Sequence, residues 1–196
     1  MSDTAPELRV MIVDSDDERS RNLRGALTLA GYHVVAELKE SLTLPDAVHG
    51  LKPHIVIINA DSPNRDTLEH ISVTTRDAPR PVVMFTQDGN SDSIRAAVKA
   101  GVSAYVVDGL APERIRSILE VACARFEAHQ ELANKLADTE RQLAERKSIE
   151  KAKGLLMKRR GLSEDQAFKE LRTLAMKTGK KLGEVAETLI AAEHLL

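Results

Sequence analysis

Five short apolar runs alternate with helix-length segments over roughly the first 112 residues of this chain. The runs span residues 8–13, 34–38, 55–58, 82–85 and 104–107. Strands that alternate with helices form parallel sheets, joined by right-handed crossovers and covered by helices on both faces. We therefore predict an α/β domain with one five-stranded parallel sheet. A binding site in such a domain would lie at the carboxyl ends of the strands.

The last fifty residues follow a different pattern. Residues 147–181 contain 11 Lys or Arg and only 4 acidic residues, interleaved with apolar residues at helical spacing. Residues 1–146 carry 17 basic and 23 acidic residues, a net charge of −6, whereas residues 147–196 carry 11 and 7, a net charge of +4. The body would repel a polyanion and the tail would attract one. The tail is thus predicted to be a cationic helical module.

Three helices are predicted within this tail. The first ends at Gly161, because glycine accepts the left-handed conformation of a helix end. Ser163 and Gln166 have the spacing of a capping box that starts the second helix. Its predicted buried face comprises Ala167, Phe168, Leu171, Leu174 and Ala175. Met157 and Met176 are assigned to the core from their helical phase. After Gly179, the third helix buries Leu182, Val185, Ala186, Leu189 and Ile190.

Composition limits the classes of protein that remain. Cys123 is the only cysteine, so no internal disulfide can form, and its apolar helical setting predicts a packed thiol. No apolar run approaches the roughly 18 residues of a membrane span, and residues 1–6 are polar, so we expect a soluble cytoplasmic protein. The chain has no phosphate-binding glycine loop, no nucleophile paired with a base and no metal-ligand spacing. We therefore expect neither an enzyme nor a bound cofactor or metal.

The first domain resembles a known family. The resemblance rests on VMIVD at residues 10–14, PHIVIINADSP at residues 53–63, Thr86 after the fourth run and AGVSAY at residues 100–105. Together these segments resemble a response-regulator receiver domain, over residues 7–125. The resemblance implies a flavodoxin-like, CheY-like fold with strand order 2-1-3-4-5.

The chain departs from the receiver pattern at three positions. Receivers place an acidic pair after the first strand to bind Mg²⁺, but here Asp14 is followed by Ser15. The phosphoacceptor position is Asn59, and an amide cannot form an acyl phosphate in the usual way. The lysine expected after the fifth strand is replaced by Asp108, which would repel a phosphoryl group. Asn59 is therefore not expected to be phosphorylated.

Two interpretations of this pocket remain open. Its residues are Asp14, Asp16, Asn59, Asp61, Thr86 and Asp108. One interpretation is a modified pocket that binds phosphate or metal in an unusual way, with Asp61 as a displaced phosphoacceptor. The other is a receiver scaffold kept for protein contact, in which the aspartates and Thr86 cap turns and helix starts. We favour the second because the nucleophile is absent.

A helical linker is predicted over residues 112–147, since no strong helix breaker interrupts it. A heptad pattern places one side of a coiled-coil seam on this helix, with Arg125 and Arg146 as polar interruptions. The apolar seam positions are Ile115, Ile118, Ala122, Leu132, Leu136 and Leu143. This pattern favours a homodimer, and the alternative is a single helix packed on its own receiver.

The tail resembles a second family over residues 135–196. The resemblance rests on Ile149, AKG at residues 152–154, LLM at 155–157, AF at 167–168, LR at 171–172, AM at 175–176 and VA at 185–186. These spaced positions resemble the ANTAR domain, an RNA-binding output module. The resemblance implies binding of paired stem-loops in a nascent mRNA leader, which prevents a terminator from forming. Residues 61–66 and 105–109 further resemble nitrate/nitrite-responsive antiterminators, which implies control by a nitrate sensor of the periplasmic-binding-protein type.

Candidate RNA contacts follow from the basic residues of the tail. They are Lys151, Lys158, Arg159, Arg160, Arg172, Lys177, Lys180 and Lys181. Such residues supply phosphate contacts and a steep salt dependence. Aromatic stacking on bases is not expected, because Phe168 is assigned to the apolar face. The alternatives are a DNA-binding response regulator with a helix-turn-helix and an adaptor in which both domains bind protein.

Overall fold

The computed structural model describes residues 8–108 and 112–193. The chain divides into two compact units, Met1–Gln130 and Glu131–Leu196, and each is described by itself. The predicted domain limits at residues 7 and 196 lie outside the described residues, as does Gly109 after the fifth strand. No helix within the described part of the chain is long and apolar enough to cross a membrane.

The first unit is built on a five-stranded parallel sheet. Its strands are β1 (Arg9–Asp14), β2 (His33–Leu38), β3 (Ile55–Asn59), β4 (Val82–Thr86) and β5 (Ala104–Val107). Their order is β2-β1-β3-β4-β5, which confirms the predicted topology. In the β1–β3 register Asp14 lies opposite Asn59. These two polar residues therefore end neighbouring central strands at the same edge of the sheet.

Helices cover both faces of this sheet. They are α1 (Asp17–Leu29), α2 (Leu44–Leu51), α3 (Arg65–Asp77), α4 (Ser91–Ala100) and the first part of α5 (Ile115–Arg160), with one-turn 3-10 helices at Ser41–Thr43 and Pro112–Arg114. Two apolar cores result, one on each face of the sheet. Gly101 ends α4 with φ +103°, and a Cβ there would lie 2.6 Å from Thr75 Oγ1. Only glycine therefore fits this turn.

Part of the predicted coiled-coil seam belongs to the receiver core. Ile115 and Ala122 are fully buried with Leu119 in the core, and Ile118 packs against it. The prediction that Ile115, Ile118 and Ala122 face a partner helix is therefore wrong, because these side chains are already covered within their own unit. Leu132, Leu136 and Leu143 lie further along α5 and are exposed. Cys123 is half-buried against the same core, and burial raises the pKa of its thiol.

The second unit consists of the remainder of α5, α6 (Glu164–Thr178) and α7 (Leu182–Glu193). Gly161 has φ +66°, and the capping box of Ser163 and Gln166 is present as predicted. A single small core joins the three helices through Ala152, Leu156, Ala167, Leu171, Ala175, Val185 and Ala186. Gly183 allows the close approach of α7, since a Cβ there would lie 2.6 Å from Glu145 Cγ.

The buried face of α6 is narrower than predicted. Phe168 is 40% exposed, Leu174 41% and Met176 77%, so the assignment of these residues to the core is wrong. An α-helix turns by about 100° per residue, which places Met176 about 140° from the centre of the stripe formed by Ala167, Leu171 and Ala175. Met157 is 39% exposed and is likewise not a core residue.

Candidate functional site

The receiver pocket is organised around Asp14, which is buried at the end of β1. Its Oδ2 accepts a hydrogen bond of 2.9 Å from Asn59 Nδ2, and its Oδ1 accepts one of 2.9 Å from the backbone N–H of Asp16. The first contact follows from the β1–β3 register, which places the two residues side by side. The phosphoacceptor-equivalent Asn59 is thus a structural donor to the neighbouring carboxylate.

Arg19 in the first turn of α1 completes this cluster. Its Nη2 lies 3.0 Å from Asp14 Oδ1, and its Nη1 forms an ion pair with Asp61 on the loop after β3. The hydrogen bond to Asp14 is the largest effect that raises the pKa of Arg19, while partial burial opposes it. One guanidinium therefore joins two of the carboxylates that sequence analysis assigned to this pocket.

The cluster does not fit the Mg²⁺ that receivers bind. A hard divalent cation needs several oxygen ligands, and this pocket offers the single buried carboxylate of Asp14, with Ser15 in place of the second acid. Both carboxylate oxygens of Asp14 already accept hydrogen bonds, from Asp16, Arg19 and Asn59. The guanidinium beside them would repel a second cation. Within residues 8–108 and 112–193, no three His, Cys, Asp or Glu side chains are grouped to hold a metal ion.

Asp16 caps the start of α1, and Asp108 lines neither of the cavities described at this edge of the sheet. Asp16 is the N-cap of α1, and its Oδ1 accepts hydrogen bonds of 2.8 Å from the backbone N–H groups of Glu18 and Arg19. The bond from Arg19 is the largest cause of the lowered pKa of Asp16. Asp108 is exposed after β5 with φ +61°, and neither cavity described at this edge of the sheet is lined by it. Asp108 makes none of the hydrogen bonds or ion pairs described for the cluster around Asp14.

Thr86 at the end of β4 is tied to the neighbouring loops. It is buried, its Oγ1 donates a 2.9 Å hydrogen bond to the backbone carbonyl of Asp61, and it accepts one of 3.1 Å from the N–H of Asp88. Tyr105 on β5 donates a 2.7 Å hydrogen bond to the carbonyl of Asp88. A cavity of about 230 Å³ lies between Arg19, Asn59, Asp61 and Thr86. The Thr86 hydroxyl and both terminal nitrogens of Arg19 are already used within the protein, whereas the buried Nε of Arg19 has no hydrogen-bond partner among the described residues.

We expect that acetyl phosphate with Mg²⁺ will not label the purified protein. Asn59 lacks the carboxylate that forms an acyl phosphate, and Asp61 is held by Arg19. Intact-mass spectrometry after incubation measures this directly, with a receiver that labels under the same conditions as the positive control. A stable acyl phosphate mapped to Asp61 would contradict the prediction.

Some cations of the second unit form ion pairs with acidic residues. Arg159 pairs with Glu193 at 3.4 Å, Arg160 pairs with Glu170, and Lys153 is buried between Glu150 and Glu164 at 2.9 and 2.7 Å. Three of these four pairs join α5 to α6 or α7, and the pair of Lys153 with Glu150 lies within α5. The hydrogen bond to Lys153 lowers the pKa of Glu164, and the same bond raises the pKa of Lys153. Arg159 and Arg160 were predicted as RNA contacts because their partners, Glu193 and Glu170, lie on other helices and could not be recognised from the sequence.

Six predicted RNA-contact residues stay exposed and have no ion-pair partner within the described ranges. They are Lys151, Lys158, Arg172, Lys177, Lys180 and Lys181. They lie on α5, on α6 and in the turn before α7. We call these six residues the open cation set. Among the described residues of the unit, no ion pair neutralises these six charges.

Comparison with known families identifies both units. A family model described as the response regulator receiver domain matches residues 10–120, more than half of the chain. The chain belongs to the response regulators. A second family model, described as the ANTAR domain, matches residues 137–190 of this response regulator. The receiver and its helical output module are therefore an ANTAR-type arrangement.

Individual relatives agree with this assignment. The response regulator is 29% identical to the transcriptional regulatory protein PdtaR of Mycobacterium tuberculosis, over 96% of this chain and 92% of that protein. It is 41% identical over 73 residues to a nitrate regulatory protein of Klebsiella oxytoca, which covers 36% of this chain and 18% of that protein. A CheY-like receiver domain from Methanospirillum hungatei has a TM-score of 0.55 at 16% identity, covering 63% of this chain and 98% of that one. This last similarity concerns the fold alone.

Proposed function

We propose that this response regulator is a transcription antiterminator. Its ANTAR module would bind paired stem-loops in the leader of a nascent mRNA and so prevent a terminator from forming. The open cation set is the observation that carries the proposal, because unneutralised Lys and Arg on one small unit are what a phosphate backbone requires. The ANTAR match over residues 137–190 supports RNA as the polymer.

The helix-turn-helix alternative finds less support. In such a motif the second helix enters the major groove of DNA and contacts base edges. Here that helix would be α7, whose residues Leu182–Glu193 include no Lys or Arg and three glutamates, Glu184, Glu187 and Glu193. Val185 and Ala186 of α7 are buried in the core of the unit. This helix offers few groups for reading DNA.

The proposed control is by a protein partner and not by phosphorylation. Asn59 and the Arg19 cluster support this view, since the pocket has neither an acceptor nor a metal site of the receiver kind. We propose a nitrate sensor of the periplasmic-binding-protein type as the partner, and nitrate/nitrite assimilation genes as the target. The similarity of part of this chain to a nitrate regulatory protein supports the target.

We further propose a homodimer through the exposed stripe of α5. Leu132, Leu136 and Leu143 are 68, 60 and 52% exposed, and their spacing of four and seven residues places them on one face of the helix. Exposed leucines at heptad spacing favour a partner helix of the same kind. Two protomers would present two ANTAR modules to two stem-loops.

Transcripts that copurify with the protein would provide the RNA for a direct test. With such a leader RNA, Lys151→Ala together with Lys158→Ala should lower the salt slope of log Kd by up to about two units, since each phosphate contact contributes roughly one. Fluorescence anisotropy between low and moderate salt measures the slope. Loss of two exposed phosphate contacts should weaken binding most at low salt.

A matched control removes two cations from the same helix without touching the open cation set. Lys135 and Arg141 are paired with Glu131 and Asp138, so Lys135→Ala with Arg141→Ala should leave the slope unchanged. Equal effects of the two double variants would count against the proposed surface. Recovery of DNA in place of leader transcripts would favour the helix-turn-helix alternative.

A further inference from the structure

An apolar patch lies exposed among the cations of α6. Phe168 is 40% exposed and Met176 77%, and Arg172 lies between them at four-residue spacing. Residues four apart are neighbours on a helix surface, so these three side chains form one stripe. The core of the unit is complete without Phe168 and Met176. Neither side chain therefore belongs to the core that joins the three helices.

The stripe borders a shallow groove of about 440 Å³ between the end of α6 and the start of α7. The groove is lined by Phe168, Arg172, Ala175, Met176, Gly179, Lys180 and Leu182. Its lining is apolar with two cations and no acid. Arg172 and Lys180 both belong to the open cation set, so the groove has an aromatic wall and a positive rim.

We propose that this groove receives an unpaired nucleobase of the bound RNA, stacked on the ring of Phe168. The inference rests on the proposed RNA-binding function and names the part of the surface that contacts a base. RNA loops expose unstacked bases, which proteins commonly stack on aromatic rings and on the planes of Arg side chains. Arg172 and Lys180 line the same groove and would supply cations for the phosphates on either side of that base.

Charge complementarity selects this occupant over a second copy of the chain. A two-fold interface would place the groove against itself and bring Arg172 and Lys180 opposite their own copies. Like charges at such an interface oppose association. A nucleotide instead supplies a flat apolar face for Phe168 and a negative phosphate for the rim. The same groove would therefore contact both the base and the phosphate of one nucleotide.

The test uses the full chain and hairpin RNAs selected from a pool with a randomised loop. The best-bound hairpin is then remade with each loop nucleotide in turn replaced by an abasic one. For the wild type, one abasic position should weaken binding by about 5- to 100-fold, the range for loss of one stacked base. Phe168→Leu should lose a similar factor on the intact hairpin, and should be insensitive to that one abasic position.

Two further variants exclude a merely structural effect. Phe168→Tyr keeps an aromatic ring and should retain both the affinity and the sensitivity to the abasic position. Leu174→Ala alters a comparably exposed apolar residue of α6 that does not line the groove, and should leave both unchanged. Thermal unfolding followed by circular dichroism checks that each variant is folded.

The possible failures are distinguishable. If the wild type binds with a steep salt dependence but Phe168→Leu binds equally well, the stacking inference is wrong and the proposed function stands. The same conclusion follows if Phe168→Leu reduces self-association in ultracentrifugation and leaves RNA binding intact, since a second copy then occupies the groove. If the wild type selects no hairpin from the pool, both the inference and the proposed function fail.

Discussion

Leu171→Ala should destabilise the helical output unit by about 2–5 kcal/mol while the receiver stays folded. Leu171 is 1% exposed at the centre of the α5–α6–α7 core, and truncating a buried leucine to alanine costs about 2–5 kcal/mol. A unit of this size has a total stability of about 3–10 kcal/mol, from roughly 0.05–0.15 kcal/mol per residue. One substitution can therefore remove most of the stability of the unit.

Only the helical output unit should lose stability, and the receiver should not change. Hydrogen exchange followed by mass spectrometry should show lost protection in α6 and α7, with the sheet unchanged, and RNA binding should fall with the folded fraction. Leu174→Ala is the matched control, because Leu174 lies on the same helix and is 41% exposed. It should cost less than about 1 kcal/mol. Equal destabilisation by both variants would contradict the assigned core.

Arg19→Gln should destabilise the receiver by about 2 kcal/mol. Removing one partner of a fully buried ion pair costs about 3–5 kcal/mol, because the other charge stays buried and unpaired. The Asp14 side chain is fully buried, but the Arg19 side chain is 35% exposed, so solvent reduces the loss. The midpoint of urea unfolding, followed by the signal of the receiver, measures the effect. Adding Mg²⁺ to the wild type should leave that midpoint unchanged.

A double variant tests the origin of this loss. Asp14→Asn removes the buried charge, so Arg19→Gln combined with Asp14→Asn should be more stable than the sum of the single effects predicts. Arg24 is the surface control: it also lies on α1, pairs with Glu37 on β2 and is 55% exposed, so Arg24→Gln should cost less than about 1 kcal/mol. Strict additivity at Asp14 and Arg19 would mean that the two charges are not coupled.

The apolar runs of the sequence predicted the limits of the strands to within one or two residues, and the resemblance to receivers implied the strand order. The structure extends three central strands by one polar residue each, to Asp14, Asn59 and Thr86. A run of apolar residues reports burial, whereas a strand is defined by its ladder of hydrogen bonds, which continues into polar positions. That single added residue matters, because it places Asp14 and Asn59 in direct register.

The contacts of Arg19 could not be predicted in the same way. Its partner Asp61 is 42 residues away in the chain, so only the folded sheet brings the two together. A basic residue in the first turn of α1, five residues after a buried aspartate, was the available signal. The exposure of Phe168 was missed for another reason. Helical phase predicts which residues share a side, but the width of the covered stripe depends on how closely α5 and α7 approach α6.

The guanidinium of Arg19 differs in one physical respect from a cation bound from solution. A dissolved ion fills its site according to mass action, so that chelation or a competing ion can empty it. Arg19 is attached to α1, and its place between Asp14 and Asp61 is filled whenever that helix is folded. The occupancy of this site in the receiver is therefore not controlled by the concentration of an ion in solution.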